Sequence, residues 1–162
     1  MIILGIDPGT ASTGYAVVNL TSRPTLVEAN CISTPAGIDM HKRLKMLYRD
    51  LTDVAKKHSP DVMVVERLFF NTNIKTAITV GQARGIALLV AANKNMKVFE
   101  YTALEAKCAL TGYGRSDKKQ MQEAVKNHLK LAGIIKSDDA NDGVAMALCY
   151  VKKEFEALFS ND

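Results

Sequence analysis

The chain opens with Ile2-Ile3-Leu4-Gly5-Ile6-Asp7-Pro8-Gly9-Thr10. An apolar run of strand length ends in a carboxylate, and Pro-Gly breaks the run directly afterwards. Ile2, Ile3, Leu4 and Ile6 are continuous rather than alternating, which predicts a strand buried on both faces. An unpaired carboxylate is costly inside such a strand, so Asp7 is expected at its solvent-facing end or beside a cation. Taken alone, the motif reads equally as a carboxylate that caps the next turn. The pattern recurs, however. Asp61-Val62-Met63-Val64-Val65-Glu66 is a second continuous apolar run ending in an acid.

Around these two runs the periodicity supplies the rest of the elements. Residues 13–19 and 26–34 read as strands separated by a turn at 21–25, and the short connections predict an antiparallel meander. Across 39–58, Met40, Leu44, Leu47, Leu51 and Val54 recur at helical spacing, with Lys42, Arg43, Lys45, Arg49, Lys56 and Lys57 turned to water. Ser59-Pro60 stops that helix. A strand entered from a helix and left into another belongs to a parallel part of the sheet, which places the Glu66 strand there. A helix over 73–93 and a strand over 96–101 follow. Thr102 caps a short helix through residue 110, and Thr111-Gly112-Tyr113-Gly114 is a break. Ser116 caps a helix to about residue 131 with Gly133 as its end signal, and Asp138 or Asp139 opens the last helix. The expectation is one α/β domain over residues 1–162 with a mixed sheet.

Composition narrows the function classes. The 162 residues are 48% hydrophobic and 23% charged, ordinary for a globular chain with a real core. No apolar run reaches membrane-spanning length and no signal-peptide pattern opens the chain, so a cytoplasmic protein with no membrane partner is expected. Cys31, Cys108 and Cys149 form no Cys-x-x-Cys pair; reduced core thiols are expected, and cysteine-bound zinc is excluded. The net charge of +4 is unevenly spread. Residues 67–136 carry 12 Lys/Arg against 4 Asp/Glu, and the remainder is acidic. Such a segment is either a solvated surface or the face that meets a polyanion.

Asp139 and Asp142 stand three apart at a helix start and share one face, and Asp138 lies four before Asp142. Acids at a helix N-terminus also serve as caps. Carboxylates gathered from several elements repel and raise one another's pKa values, and a divalent cation removes that problem. An all-oxygen donor set without His or Cys suits Mg²⁺ or Mn²⁺.

The opening Ile-Leu-Gly-Ile-Asp-Pro-Gly-Thr, Val64-Val65-Glu66, Gly81-Gln82-Ala83-Arg84-Gly85 and Asp139-Ala140-Asn141-Asp142 together resemble the RuvC-type Holliday-junction resolvases. The match runs in the family's order and spacing over nearly the whole chain. It implies an RNase H-like fold, a five-stranded mixed sheet flanked by helices. It implies that Asp7, Glu66, Asp139 and Asp142 are the catalytic acids and hold two Mg²⁺, with Mn²⁺ as substitute and Asp7 bridging. The implied activity is a crossover junction endodeoxyribonuclease of DNA recombination and repair, making paired symmetric nicks with 5′-phosphate and 3′-hydroxyl ends in four-way junction DNA. Lys107 and Lys118 match lysines near the DNA. Arg115, Lys118 and Lys119 crowd a helix N-terminus, where the macrodipole disfavours cations, so an anion held by both is expected. Phe69 matches an aromatic that stacks on a base. Gly81 and Gly85 pack either on the chain's own sheet or, as the resemblance implies, in a homodimer interface. A RuvA–RuvB-type branch-migration complex is the implied partner. The rival readings are an ATP-using enzyme of the actin type, a related nuclease acting on RNA–DNA hybrid or RNA, and a junction-binding protein that does not cleave.

Overall fold

Five strands lie side by side in the order β3-β2-β1-β4-β5, so the run that opens the chain becomes the middle of the sheet. The computed structural model describes residues 1–67 and 74–155. Along the chain these form β1 (Ile2–Asp7), β2 (Ser12–Leu20), β3 (Pro24–Ser33), α1 (Met40–His58), β4 (Val62–Glu66), α2 (Ile74–Asn93), β5 (Lys97–Tyr101), α3 (Ala103–Thr111), α4 (Lys118–His128) and α5 (Asp138–Phe155). β1, β2 and β3 pair antiparallel, as the short turns require, while β4 and β5 continue from β1 in parallel.

The continuous apolar runs are explained by helices on both faces. Ile3, Leu4 and Ile6 are wholly buried. Leu4, Ile6, Met63 and Val65 meet Leu47 and Leu51 of α1 and Ala83, Ala87 and Val90 of α2 on one side. Ile3, Val18 and Val64 meet Ala106 of α3 and Met146, Ala147 and Tyr150 of α5 on the other. Met121 and Val125 carry α4 onto Val144 and Leu148 of α5. Among the described residues no helix is long and apolar enough to cross a membrane.

Helix α5 sits unusually close to the sheet, and glycine is the reason. A Cβ at Gly14 would overlap the Asp139 carbonyl, and one at Gly5 would overlap the Gly143 carbonyl. One at Gly143 would stand 2.9 Å from Tyr15 Cα. The first turns of α5 therefore rest main chain against main chain on β1 and β2.

Several boundaries differ from those expected. β3 begins at Pro24, inside the anticipated turn; it is an edge strand, where proline is tolerated at the first residue. α4 is capped by Asp117 rather than Ser116. The Asp117 side chain accepts the Gln120 N–H at 2.8 Å, and Gln120 Oε1 accepts the Asp117 N–H at 2.9 Å, closing a capping box. That helix ends at His128 with Leu129 as its cap, so Gly133 has no capping part. Of the three free cysteines only Cys149 is a core thiol; Cys31 is half-buried and Cys108 exposed.

Candidate active site

Parallel pairing of β1 with β4, with Ile6 opposite Val65, brings their last residues, Asp7 and Glu66, side by side at one end of the sheet. Asp7 is paired across β1–β2 with Gly14, and Gly14 is the residue on which the Asp139 main chain rests. Asp142 follows one helical turn later. Four acids from three distant segments of the chain thus gather where the sheet and α5 converge.

Burial and mutual repulsion push Asp7, Glu66 and Asp142 upward. Asp7 is pushed up to about 8 by burial, by a hydrogen bond with Glu66, and by the negative charges of Glu66 and Asp139. Glu66 is raised as well, by burial first and by Asp142, while its bond to Asp7 and the Lys107 ammonium pull the other way. The two carboxyls titrate as a pair, both raised above the ordinary carboxylate range. Asp142, at the mouth, rises to about 6 through desolvation and the charges of Asp7, Asp138 and Asp139, with Lys118 opposing. Of its two expected settings, the strand's end or the side of a cation, Asp7 takes the end of β1, with Glu66 and Asp139 as neighbours. Among the described residues no three His, Cys, Asp or Glu side chains are grouped as a metal-holding set.

A cleft of about 420 Å³ adjoins the group, walled by Glu66 and Lys107 on one side and by Ser116, Lys118 and Asp142 on others. Asp138 also borders it but is engaged: Lys118 Nζ donates to Oδ2 at 2.7 Å, and Gln122 Nε2 to Oδ1 at 3.3 Å. The three-residue interval Asp139–Asp142 is therefore the one that meets Asp7 and Glu66. At the start of α4 two carboxylates of the chain itself are found, Asp117 as the cap and Asp138 as the partner of Lys118. Asn141, 2% exposed, lines the same cleft, and its Oδ1 is buried without a hydrogen-bond partner. Sequence reasoning passed it over, because an amide within an acidic run at a helix start looks like one more capping residue. Carboxylates plus an orphaned amide oxygen make an all-oxygen donor set, which fits a hard divalent ion and its water shell.

The acids of the basic segment are occupied locally. Glu100 contacts Arg84 and, at 3.9 Å, Arg67; Glu105 holds Lys153 at 2.8 Å; Glu123 holds Lys126 at 3.3 Å. Lys107, Arg115 and Lys119 have no ion pair among the described residues, and the last two are exposed. Phe69 lies outside the described residues. On α2, Gly81 and Gly85 do not pack on the sheet: a Cβ at either would meet nothing within 4 Å. They lie on an outward stripe with exposed Ile78 and Leu89, while Ala83, Ala87 and Val90 make the core contacts.

A 3-2-1-4-5 mixed sheet flanked by helices, with acids gathered at the ends of β1 and β4 and the start of α5, defines an RNase H-like protein. The family model for crossover junction endodeoxyribonuclease RuvC matches residues 3–150, and the chain belongs to that family. It is 47% identical over 151 residues to the crossover junction endodeoxyribonuclease RuvC of Alkaliphilus oremlandii, covering 93% of this chain and 92% of that one. It is 51% identical over 150 residues to the RuvC of Rubrobacter xylanophilus, covering 92% and 84%. The Thermus thermophilus RuvC structure superposes with a TM-score of 0.89 at 25% identity, covering 98% of both chains. The T. thermophilus RuvC complex with Holliday junction substrate does so with a TM-score of 0.90, also at 25% identity, covering 98% of this chain and 97% of that one.

Proposed function

We propose that the chain, acting as one nuclease domain over residues 1–162, resolves Holliday junctions by paired, symmetric, metal-dependent phosphodiester hydrolysis. The observation that carries this reading is the convergence of Asp7, Glu66, Asp139 and Asp142 beside a cleft that Lys107 and Lys118 also line. Asp7, which faces both Glu66 and Asp139, would hold two Mg²⁺ ions, or Mn²⁺ in their place, together with Glu66, Asp139 and Asp142. Bound there, the ions would supply water activation and charge neutralisation at the leaving oxygen. The chain's own part is to give up the Asp7 proton when the site loads, to hold the ligands, and to seat the scissile phosphate with Lys107, Lys118 and the nearby Arg115 and Lys119. Phe69 supplies a base-stacking contact. Nicks then carry 5′-phosphate and 3′-hydroxyl ends.

The α2 stripe of Ile78, Gly81, Gly85 and Leu89 supports a homodimer, since open space at both glycines allows a second backbone to approach closely. Two sites related by a two-fold axis suit a substrate that is itself nearly two-fold symmetric. A RuvA–RuvB-type branch-migration complex is the proposed cytoplasmic partner. Gly85→Arg is expected to elute as a monomer in size-exclusion chromatography with light scattering, and to lose paired nicking. Dimeric elution of that variant with wild-type paired cutting removes α2 from the interface.

The activity is tested with a synthetic four-way junction, a linear duplex of the same sequence and an RNA–DNA hybrid, each with Mg²⁺. Symmetric paired nicks confined to the junction are expected. Equal cutting of linear duplex, or cutting of the hybrid alone, points to a related nuclease instead, and binding without cutting to a non-cleaving junction binder.

A further inference from the structure

Residues 112–117 join α3 to α4 and form a ridge beside the cleft. Gly112 turns the chain with φ +76° and donates its N–H to the Cys108 carbonyl. The Tyr113 N–H donates to Thr111 Oγ1 at 3.2 Å, and the Tyr113 carbonyl accepts from the Ser116 hydroxyl at 2.7 Å and the Ser116 N–H at 3.2 Å. Gly114 is seated on α3, where a Cβ would meet Leu104 Cδ1 at 2.5 Å and Cys108 Sγ at 3.1 Å. The backbone on both sides of Tyr113 is thus tied down, and Ser116 beneath it is buried.

The side chain is not. Tyr113 is 58% exposed, the only exposed aromatic among the described residues, with Leu104, 59% exposed, nearby. A solitary exposed aromatic needs no explanation on a loose loop. Here it stands on a loop fixed by two hydroxyls and two glycines, with unpaired Arg115 next to it. Lys107, also unpaired, lies on the helix before the ridge and Lys119 on the helix after it. Ser116 lines both the acid-bearing cleft and a neighbouring hollow of about 430 Å³ that Tyr113 borders. The ring is one ridge away from the acids. Cations that follow a phosphate backbone, combined with an aromatic face held at a set height, make a surface for unstacked nucleotides, whereas a duplex with every base stacked offers the ring nothing to cover.

We propose that Tyr113 stacks on a nucleotide left without a stacked neighbour at the branch point, and so positions the junction over the acids. This rests on the nuclease reading above. The chain has no tryptophan, so Tyr113→Trp introduces a single reporter. In an Asp7→Asn background that prevents cutting, its indole fluorescence is expected to be quenched by a four-way junction and unaffected by the linear duplex. Tyr113→Ala is expected to bind the junction on the order of tenfold more weakly, with unchanged Tm, while Tyr113→Phe keeps wild-type affinity. Unchanged indole emission at saturating junction, or wild-type affinity and nicking by Tyr113→Ala, overturns the proposal. Either result leaves the activity of the wild-type enzyme on junctions intact, so the two readings fail separately.

Discussion

Asp7→Asn is expected to reduce junction cleavage by at least about a thousandfold and, at the same time, to raise the melting temperature of the metal-free protein. The first effect follows from removing the carboxylate proposed above to hold the divalent ions. The second follows from linkage. The folded-state pKa of Asp7, about 8, lies above its ordinary value of 3.8. Between those values the folded protein holds a proton that the unfolded chain has released, so stability falls as pH rises from about 4 to about 8 and then levels off. Asp142, raised to about 6, adds a contribution of the same sign over a narrower window. Glu28 acts oppositely. Lys57 first, then Tyr15 and His58, hold it near 2, so stability is lost again as pH falls below its ordinary value of 4.5. Metal-free wild type should therefore be most stable near pH 4–5, while at pH 8 the neutral amide is worth roughly 1–2 kcal/mol, or about 3–6 °C. Thermal melts without divalent ions between pH 4 and 8.5, repeated with Mg²⁺, check this: the ion should raise the wild-type Tm at pH 8 and leave Asp7→Asn nearly unmoved. A variant that still nicks junctions, or one less stable than wild type at pH 8, contradicts the role given to Asp7.

Gly14→Ala should be the most damaging single-methyl change outside the acids themselves. The new Cβ meets the carbonyl of Asp139, which is main chain and has no rotamer to escape into. Overpacking against a fixed neighbour costs about 1–3 kcal/mol and occasionally more. The clash must also lift the start of α5, and with it Asp139, away from Asp7. A fall in Tm of about 3–9 °C is expected, with loss of cleavage at temperatures where the variant is still folded. Gly133→Ala, at a glycine with open space around it, is the control and should match wild type in both measurements. Equal behaviour of the two variants would mean that α5 does not lie as close to the sheet as described.

The central strands and their acids were readable because the signal is local. A continuous apolar run followed by a carboxylate says both that the strand is buried on two faces and that its end is special, and β1 and β4 say so twice. The start of α4 was also readable and was misread. Asp117 has Gln120 three residues on, the pairing a capping box requires, whereas Ser116 has Lys119. Other features have no local signature. Nothing around Gly14 announces that a helix more than a hundred residues later will rest on it. Lys118 and Asp138 are 20 residues apart, and only the docking of α4 on α5 makes them partners. Cys108 has the apolar neighbours of a core thiol, yet it sits on the outward side of α3.

Where a helix touches a sheet through side chains, a swapped rotamer can widen or narrow the gap. Along α5 the closest approaches at Gly5, Gly14 and Gly143 are to main-chain atoms, so the spacing of the strand and helix backbones that carry the acids is set mainly by the skeleton.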